Sequence, residues 1–160
     1  MFREIMGLPV HPLVVHAAVV FVPLLVLLAI GYGVLPRFRS KIGWAVAALA
    51  VAAPAATLVA KLSGKELLEV LRAKGYPPQI LDQLAEHQGY GDLLFWFSLG
   101  LGVSAILLLL STSAPARSRN LPGWLSGVLV SLVIVFGVLS AVYVYLTGDS
   151  GASVVWSGVL

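Results

Sequence analysis

The sequence predicts an all-α integral membrane protein, a four-helix bundle with a short amphipathic helical segment between helices two and three. Of its 160 residues, 59% are apolar and only 11% are charged. Soluble domains average about 45–50% apolar and about 25% charged residues. The few charges are also clustered, so that they separate four long uncharged stretches. We therefore expect a single transmembrane domain over residues 1–160.

Four stretches contain no Asp, Glu, Lys or Arg: those between residues 4 and 37, 41 and 61, 92 and 117, and 119 and 149. Each provides about the 20 residues that a helix needs to cross about 30 Å of hydrocarbon. Backbone groups in lipid must be hydrogen-bonded internally, and the sequence lacks the period-two alternation of a membrane barrel. We expect helical spans near residues 12–35, 42–60, 93–112 and 122–146. The first is too long for a signal-peptide core of about 7–15 residues, so it is predicted to be a mature span.

Basic residues in the two short loops predict the orientation. These loops, after the first and third spans, contain five bases and no acid: Arg37, Arg39, Lys41, Arg117 and Arg119. Lys and Arg concentrate in cytoplasmic loops. Both termini and the segment near residues 63–90 are therefore expected to face outward from a bacterial plasma membrane.

The segment near residues 63–90 is predicted to be helical. The stretch "SGKELLEVLRAKG" has the pattern of a short amphipathic helix, with Ser63 as its N-cap and Gly75 at its end. The stretch "YPP" then interrupts the chain, and Pro78 is suited to begin a second helix. His87 falls on the apolar face of that second helix, so it is expected to point back toward the bundle.

The outer side of this predicted bundle gathers the candidate site residues: His11, His16, His87 and Asp149. His11 and His16 are five residues apart, which places them about 140° apart on one continuous helix. His11 precedes Pro12 and is expected at the helix entry, because the residue before a proline tends to leave the helix. His16 and His87, from two different elements, are the pair that this geometry favours. An ionisable group within a span indicates a functional site, although histidines can also simply cap helices.

Several ligands suit such a cluster. Neutral imidazole binds transition metals and can bind haem iron axially. Two histidines from different helices suit haem b, with His16 and His87 as ligands. Three histidines with the Asp149 carboxylate suit zinc or copper, with His11 as the remaining imidazole. A site with no cofactor, and proton relay without a metal, stay open as alternatives. The absence of cysteine excludes thiolate metal sites and disulfides.

A redox-associated membrane module is the leading functional prediction, and two other classes stay open. One is a structural or accessory subunit without a cofactor, and the other is a small transporter or proton-conducting protein. Against transport, His16 is the one acid or base within the predicted spans, and a single histidine does not form a relay across the membrane. No hydrolase, P-loop, dinucleotide or EF-hand motif is present, so enzymatic activity is not expected. The basic residues are explained by the orientation of the protein in the membrane, so nucleic acid is not an expected partner. Self-association is allowed, because small residues on helix faces let helices approach each other closely.

Three motifs, "LPVHPLVVHAAVV", "EHQGYGDLLFW" and "YLTGDSGASVVW", resemble the bacterial membrane family catalogued as domain of unknown function 2231. The resemblance covers nearly the whole chain. It implies a four-helix membrane module with a His-Pro-x-x-x-His opening at His11 and His16, a histidine before helix three at His87, and a glycine-rich tail. Asp149 stands where family members often carry a further histidine. Some relatives are fused to Rieske or cytochrome c-like domains, which implies electron transfer with respiratory or other redox membrane proteins.

Overall fold

Four long helices dominate the computed structural model, which describes residues 4–5, 8–112 and 122–156. They are α1 (Val10–Val34), α2 (Arg39–Ala73), α3 (Pro78–Thr112) and α4 (Gly123–Trp156). Before α1, the two-residue strands β1 (Glu4–Ile5) and β2 (Leu8–Pro9) pair antiparallel, and a 3₁₀ turn (Pro36–Phe38) links α1 to α2. The predicted all-α class is confirmed.

The helices form a ring in which α1 packs against α2, α2 against α3, α3 against α4 and α4 against α1. The diagonal contact between α1 and α3 is slight. Because the described connections are short, successive helices run antiparallel. All four helices are long and apolar enough to cross a membrane. The prediction of four membrane-spanning helices is thus confirmed.

Helices α2 and α3 extend well beyond the predicted spans. Each has 35 residues, a length of about 52 Å against about 30 Å of hydrocarbon. The segment near residues 63–90 is helical as predicted, but it forms the continuous ends of α2 and α3 instead of separate short helices. The chain turns at residues 74–77, where Gly75 adopts a φ of +74° and Pro78 begins α3. Ser63 lies buried inside α2, so its predicted role as an N-cap is wrong.

Helix α4 likewise continues past its predicted end. The sequence analysis places a glycine-rich tail after residue 146, whereas the helix runs on to Trp156. Glycine costs only about 1 kcal/mol in a helix interior, and the contact of Gly151 with a side chain of α3, described below, offsets that cost. Residues 157–160 lie outside the described part of the chain.

Helices α2 and α3 approach closely where Pro54 interrupts the hydrogen bonding of α2. Pro54 has no N–H, so the carbonyl of Ala50, four residues earlier, lacks its helical donor. Gly102 of α3 lies directly against that carbonyl, and a Cβ at this position would overlap the Ala50 oxygen. The hydroxyl of Thr57 donates to the Pro54 carbonyl at 3.0 Å and lies 2.9 Å from the hydroxyl of Ser98. Small residues at this position therefore allow the two helices to approach closely.

The bundle-facing side of α1 determines which of its histidines points inward. Its buried residues follow a spacing of three and four: Ala18, Val22, Leu25 and Ala29. Extended toward the N-terminus, the same spacing reaches residues 15 and 11. His11 therefore lies on the bundle-facing side of α1, and His16 lies off it.

Candidate functional site

His11 of α1 and His87 of α3 meet at one end of the bundle. Their ring centroids are 6.1 Å apart and their planes stand at 83°, an edge-to-face arrangement. Both side chains are half-buried. His16 is the histidine that helix geometry predicted beside His87, whereas the structure brings His11 to His87. The reason is that Pro12 lies in the first turn of α1, where a missing N–H leaves no hydrogen bond unmade, so His11 stays helical.

The Nδ1 atom of His11 ties α1 to α2. It lies 3.0 Å from the carbonyl oxygen of Ala60 and 3.2 Å from the hydroxyl oxygen of Ser63. A carbonyl only accepts hydrogen bonds, so Nδ1 carries the proton and Nε2 keeps its lone pair. Gly64 makes room for the ring, because a Cβ there would lie 3.1 Å from Cε1 of His11.

The Nδ1 atom of His87 ties α3 to α4 in the same way. It lies 3.0 Å from the hydroxyl oxygen of Ser150, and that hydroxyl donates to the carbonyl of Thr147 at 3.2 Å. The backbone of Thr147 also accepts a hydrogen bond from the His87 ring, which favours a proton on Nδ1 and a lone pair on Nε2. Gly151 lies against the ring, and a Cβ there would lie 2.9 Å from Cε1 of His87.

The other two predicted site residues lie on exposed surface, and one of them, His16, also lines the outer cavity described below. His16 is exposed, and its Nδ1 donates to the carbonyl of Pro12 one turn earlier at 2.7 Å. Asp149 is exposed on α4. Within residues 4–5, 8–112 and 122–156, no group of three or more His, Asp or Glu side chains could hold a metal ion. The set of four residues expected for zinc or copper is therefore not brought together in this part of the chain.

The pair of histidines lies between two cavities, and both rings line each of them. The inner cavity has a volume of about 50 Å³ and extends toward Thr57 and Leu94 in the bundle. The outer cavity is open and has a volume of about 620 Å³. Its walls are largely apolar and include Leu67, Leu68, Leu71, Leu84, Val155 and Trp156. Sites for small molecules and cofactors usually measure about 300–1,000 Å³, so the outer cavity has the size of a cofactor site.

An ion pair fastens α2 to α3 beside the histidines. The ammonium of Lys61 lies 3.4 Å from a carboxylate oxygen of Asp92 and 5.1 Å from the centroid of the Phe95 ring. The side-chain amide of Gln88 donates to the same Asp92 carboxylate at 3.0 Å. These contacts hold α3 in register with α2 next to His87.

Sequence reasoning missed the residues that support the two rings. Ser63 with Gly64, and Ser150 with Gly151, each provide a hydroxyl near Nδ1 and an open space beside Cε1. A glycine within a helical stretch often lets another group pack closely against the helix. Gly64 and Gly151 were therefore the sequence signal for this site. The signal is weak, because the dipeptide Ser-Gly also occurs at residues 126–127 and 157–158.

The fold and the paired histidines define a multi-pass, four-helix membrane protein with a polar site at one end of the bundle. The chain belongs to the family described as predicted membrane protein (DUF2231), whose family model matches residues 7–160. The resemblance seen in the sequence is thereby confirmed. Comparison with curated proteins and with solved structures finds no match.

Proposed function

We propose that this membrane protein is a redox-associated module that binds haem b between His11 and His87. The observation that carries the proposal is the pair itself, two imidazoles from different helices with a cavity of about 620 Å³ beside them. Histidine is an axial ligand of haem iron. His11 takes the place that the sequence analysis assigned to His16.

The hydrogen bonds of both rings support a ligand role. A histidine that binds a metal usually donates its other ring N–H to a carbonyl, a carboxylate or water, which orients the ring. His11 and His87 both donate through Nδ1 and keep the Nε2 lone pair. Two ligands match haem, whose macrocycle completes the coordination, but do not match structural zinc, which takes four protein ligands.

The two rings also lie close together, with centroids 6.1 Å apart, so one bound group would be within reach of both. When bound, haem would supply one-electron redox chemistry. The protein's part is to hold the two rings, to keep their tautomers through the contacts to Ala60 and Ser150, and to exclude water with the apolar cavity wall.

The proposal includes a location in a bacterial plasma membrane with both termini and the histidine pair on the outer side. Its support is the basic residues between α1 and α2, which lie at the end of the bundle opposite His11 and His87: Arg37, Arg39 and Lys41. Redox membrane proteins are the proposed partners, on the strength of the family's association with electron-transfer domains.

A structural or accessory subunit without a cofactor is a second candidate, and one observation favours it. His11 joins α1 to α2, and His87 joins α3 to α4. The two rings therefore fasten the helices even when nothing is bound to them.

The visible spectrum of the full chain, purified in detergent from haem-replete cells, separates these candidates. We expect a Soret band, and α and β bands after reduction with dithionite. His11→Ala and His87→Ala should each lose these bands, while Trp44→Phe, a control at the opposite end of the bundle, should retain them. A folded wild-type protein without a Soret band would refute haem binding and leave the structural role. Retention of the bands in either paired-histidine variant would refute the assigned ligands.

A further inference from the structure

The end of the bundle opposite the histidine pair carries a basic surface that the proposed haem site does not explain. It consists of Arg37, Lys41 and Trp44, which we call the basic rim. The three residues are spaced four and three apart where the 3₁₀ turn runs into α2, so they share one side of this helical segment. All three side chains are exposed.

Arg39, between the first two of these residues, has a different role. Its Nε donates to the carbonyl of Tyr32 at 3.0 Å and its Nη2 donates to the carbonyl of Gly33 at 3.1 Å. Its guanidinium also lies 5.4 Å from the centroid of the Tyr32 ring. Arg39 thus satisfies the last carbonyls of α1, whereas Arg37 and Lys41 extend away from the bundle.

The charge of the basic rim is not balanced locally. Every acidic side chain that the structure describes belongs to the histidine end: Glu66, Glu69, Asp82, Glu86, Asp92 and Asp149. The guanidinium of Arg37 lies 5.0 Å from the centroid of the Phe38 ring. Stacking on an aromatic face leaves the N–H groups at the edge of a guanidinium free to bind a phosphate.

Trp44 indicates where this surface meets the headgroup region of the membrane. Its side chain is 77% exposed just after the polar first residues of α2, and tryptophan concentrates at the headgroup level of bilayers. Two cations and an indole on one helix side at that level complement the phosphate and glycerol of a lipid headgroup. Basic residues next to a membrane attract anionic lipids.

We propose that the basic rim binds the headgroup of an anionic glycerophospholipid. The phosphate contacts Arg37 and Lys41, and the acyl chains lie along the apolar surface of α2 beyond Trp44. The site depends neither on the orientation of the chain nor on haem at the opposite end. Because two cationic side chains contact the headgroup, we expect the protein to bind an anionic lipid more tightly than a zwitterionic one, by a factor on the order of tenfold.

Native mass spectrometry of the full chain tests this proposal. The detergent-solubilised protein is titrated with phosphatidylglycerol or phosphatidylcholine of identical acyl chains, and the bound lipid is counted. We expect wild type to bind phosphatidylglycerol about tenfold more tightly. The double variant Arg37→Gln/Lys41→Gln should lose this preference. The control Arg72→Gln/Lys74→Gln, with the same loss of charge at exposed positions of the opposite end, should keep it.

Equal binding of the two lipids by wild type would overturn the proposal, and this readout needs no variant. An equal loss of preference in the control would also overturn it, because the effect would then follow net charge and not the basic rim. Glycerol 3-phosphate is the soluble competitor. If it displaces phosphatidylglycerol at equal concentration, the site binds free phosphate and the lipid assignment is wrong.

Discussion

His11 and His87 occupy corresponding positions in two helix pairs. His11 reaches from α1 to a Ser-Gly dipeptide of α2, and His87 reaches from α3 to a Ser-Gly dipeptide of α4. In both cases the hydroxyl lies near Nδ1 and the glycine leaves space beside Cε1. The two rings are therefore held in the same tautomer and oriented before any ligand binds.

Gly151→Ala should displace the ring of His87. The new Cβ would lie 2.9 Å from Cε1 of His87, and such overpacking typically costs about 1–3 kcal/mol of stability. Gly148→Ala is the control, because a Cβ on that glycine of the same helix meets nothing within 4 Å. It should gain up to about 1 kcal/mol from helix propensity. Denaturant unfolding in detergent, followed by circular dichroism, measures both. Equal stability of the two variants would contradict the tight contact.

Gly102→Ala should separate α2 from α3. Its Cβ would overlap the backbone oxygen of Ala50, and a backbone atom cannot rotate away as a side chain can. We expect a loss of about 1–3 kcal/mol, measured by the same unfolding assay. Gly89→Ala in the same helix meets open space and should be neutral or stabilising. A stable Gly102→Ala variant would show that the two helices are less closely apposed at Pro54.

Arg39→Gln should destabilise the protein more than Arg37→Gln. The first variant removes charged donors from two carbonyls at the end of α1, and bonds of this kind contribute about 1.5–3 kcal/mol each when fully buried. Arg39 is only half-buried, so we expect a difference on the order of 1 kcal/mol. Thermal unfolding of the two variants in the same detergent gives the comparison. Equal midpoints would refute the capping role.

The orientation predicted from the basic loops is tested by labelling. The chain has no cysteine, so single cysteines report without background. Ser40→Cys, at the start of α2, and Tyr76→Cys, in the turn before α3, are both at exposed positions. In intact cells a membrane-impermeant maleimide should label the second and not the first. Labelling of Ser40→Cys alone would reverse the predicted orientation.

Much of the fold was predictable because charge and proline act locally. Uncharged stretches of about 20 residues can only be helical spans in a bilayer. Gly75 and Pro78 mark the turn between α2 and α3, since a positive φ favours glycine and proline suits the beginning of a helix. The ends of α2, α3 and α4 were not predictable in this way. Their charged residues predicted separate elements, whereas residues between those charges are buried against neighbouring helices, such as Ser63, Gly64 and Leu68 of α2, and this packing allows each helix to continue.

Composition and the spacing of charges were enough to predict the class of protein, the number of spans and the three candidate histidines. Which histidine of α1 meets His87 depends on how the helices pack. A nearly uniform apolar helix shows no hydropathy difference between its lipid-facing and bundle-facing sides, so its rotation cannot be read from composition. The packing of Ala18, Val22 and Leu25 against the other helices sets that rotation. It turns His11 toward His87 and leaves His16 exposed.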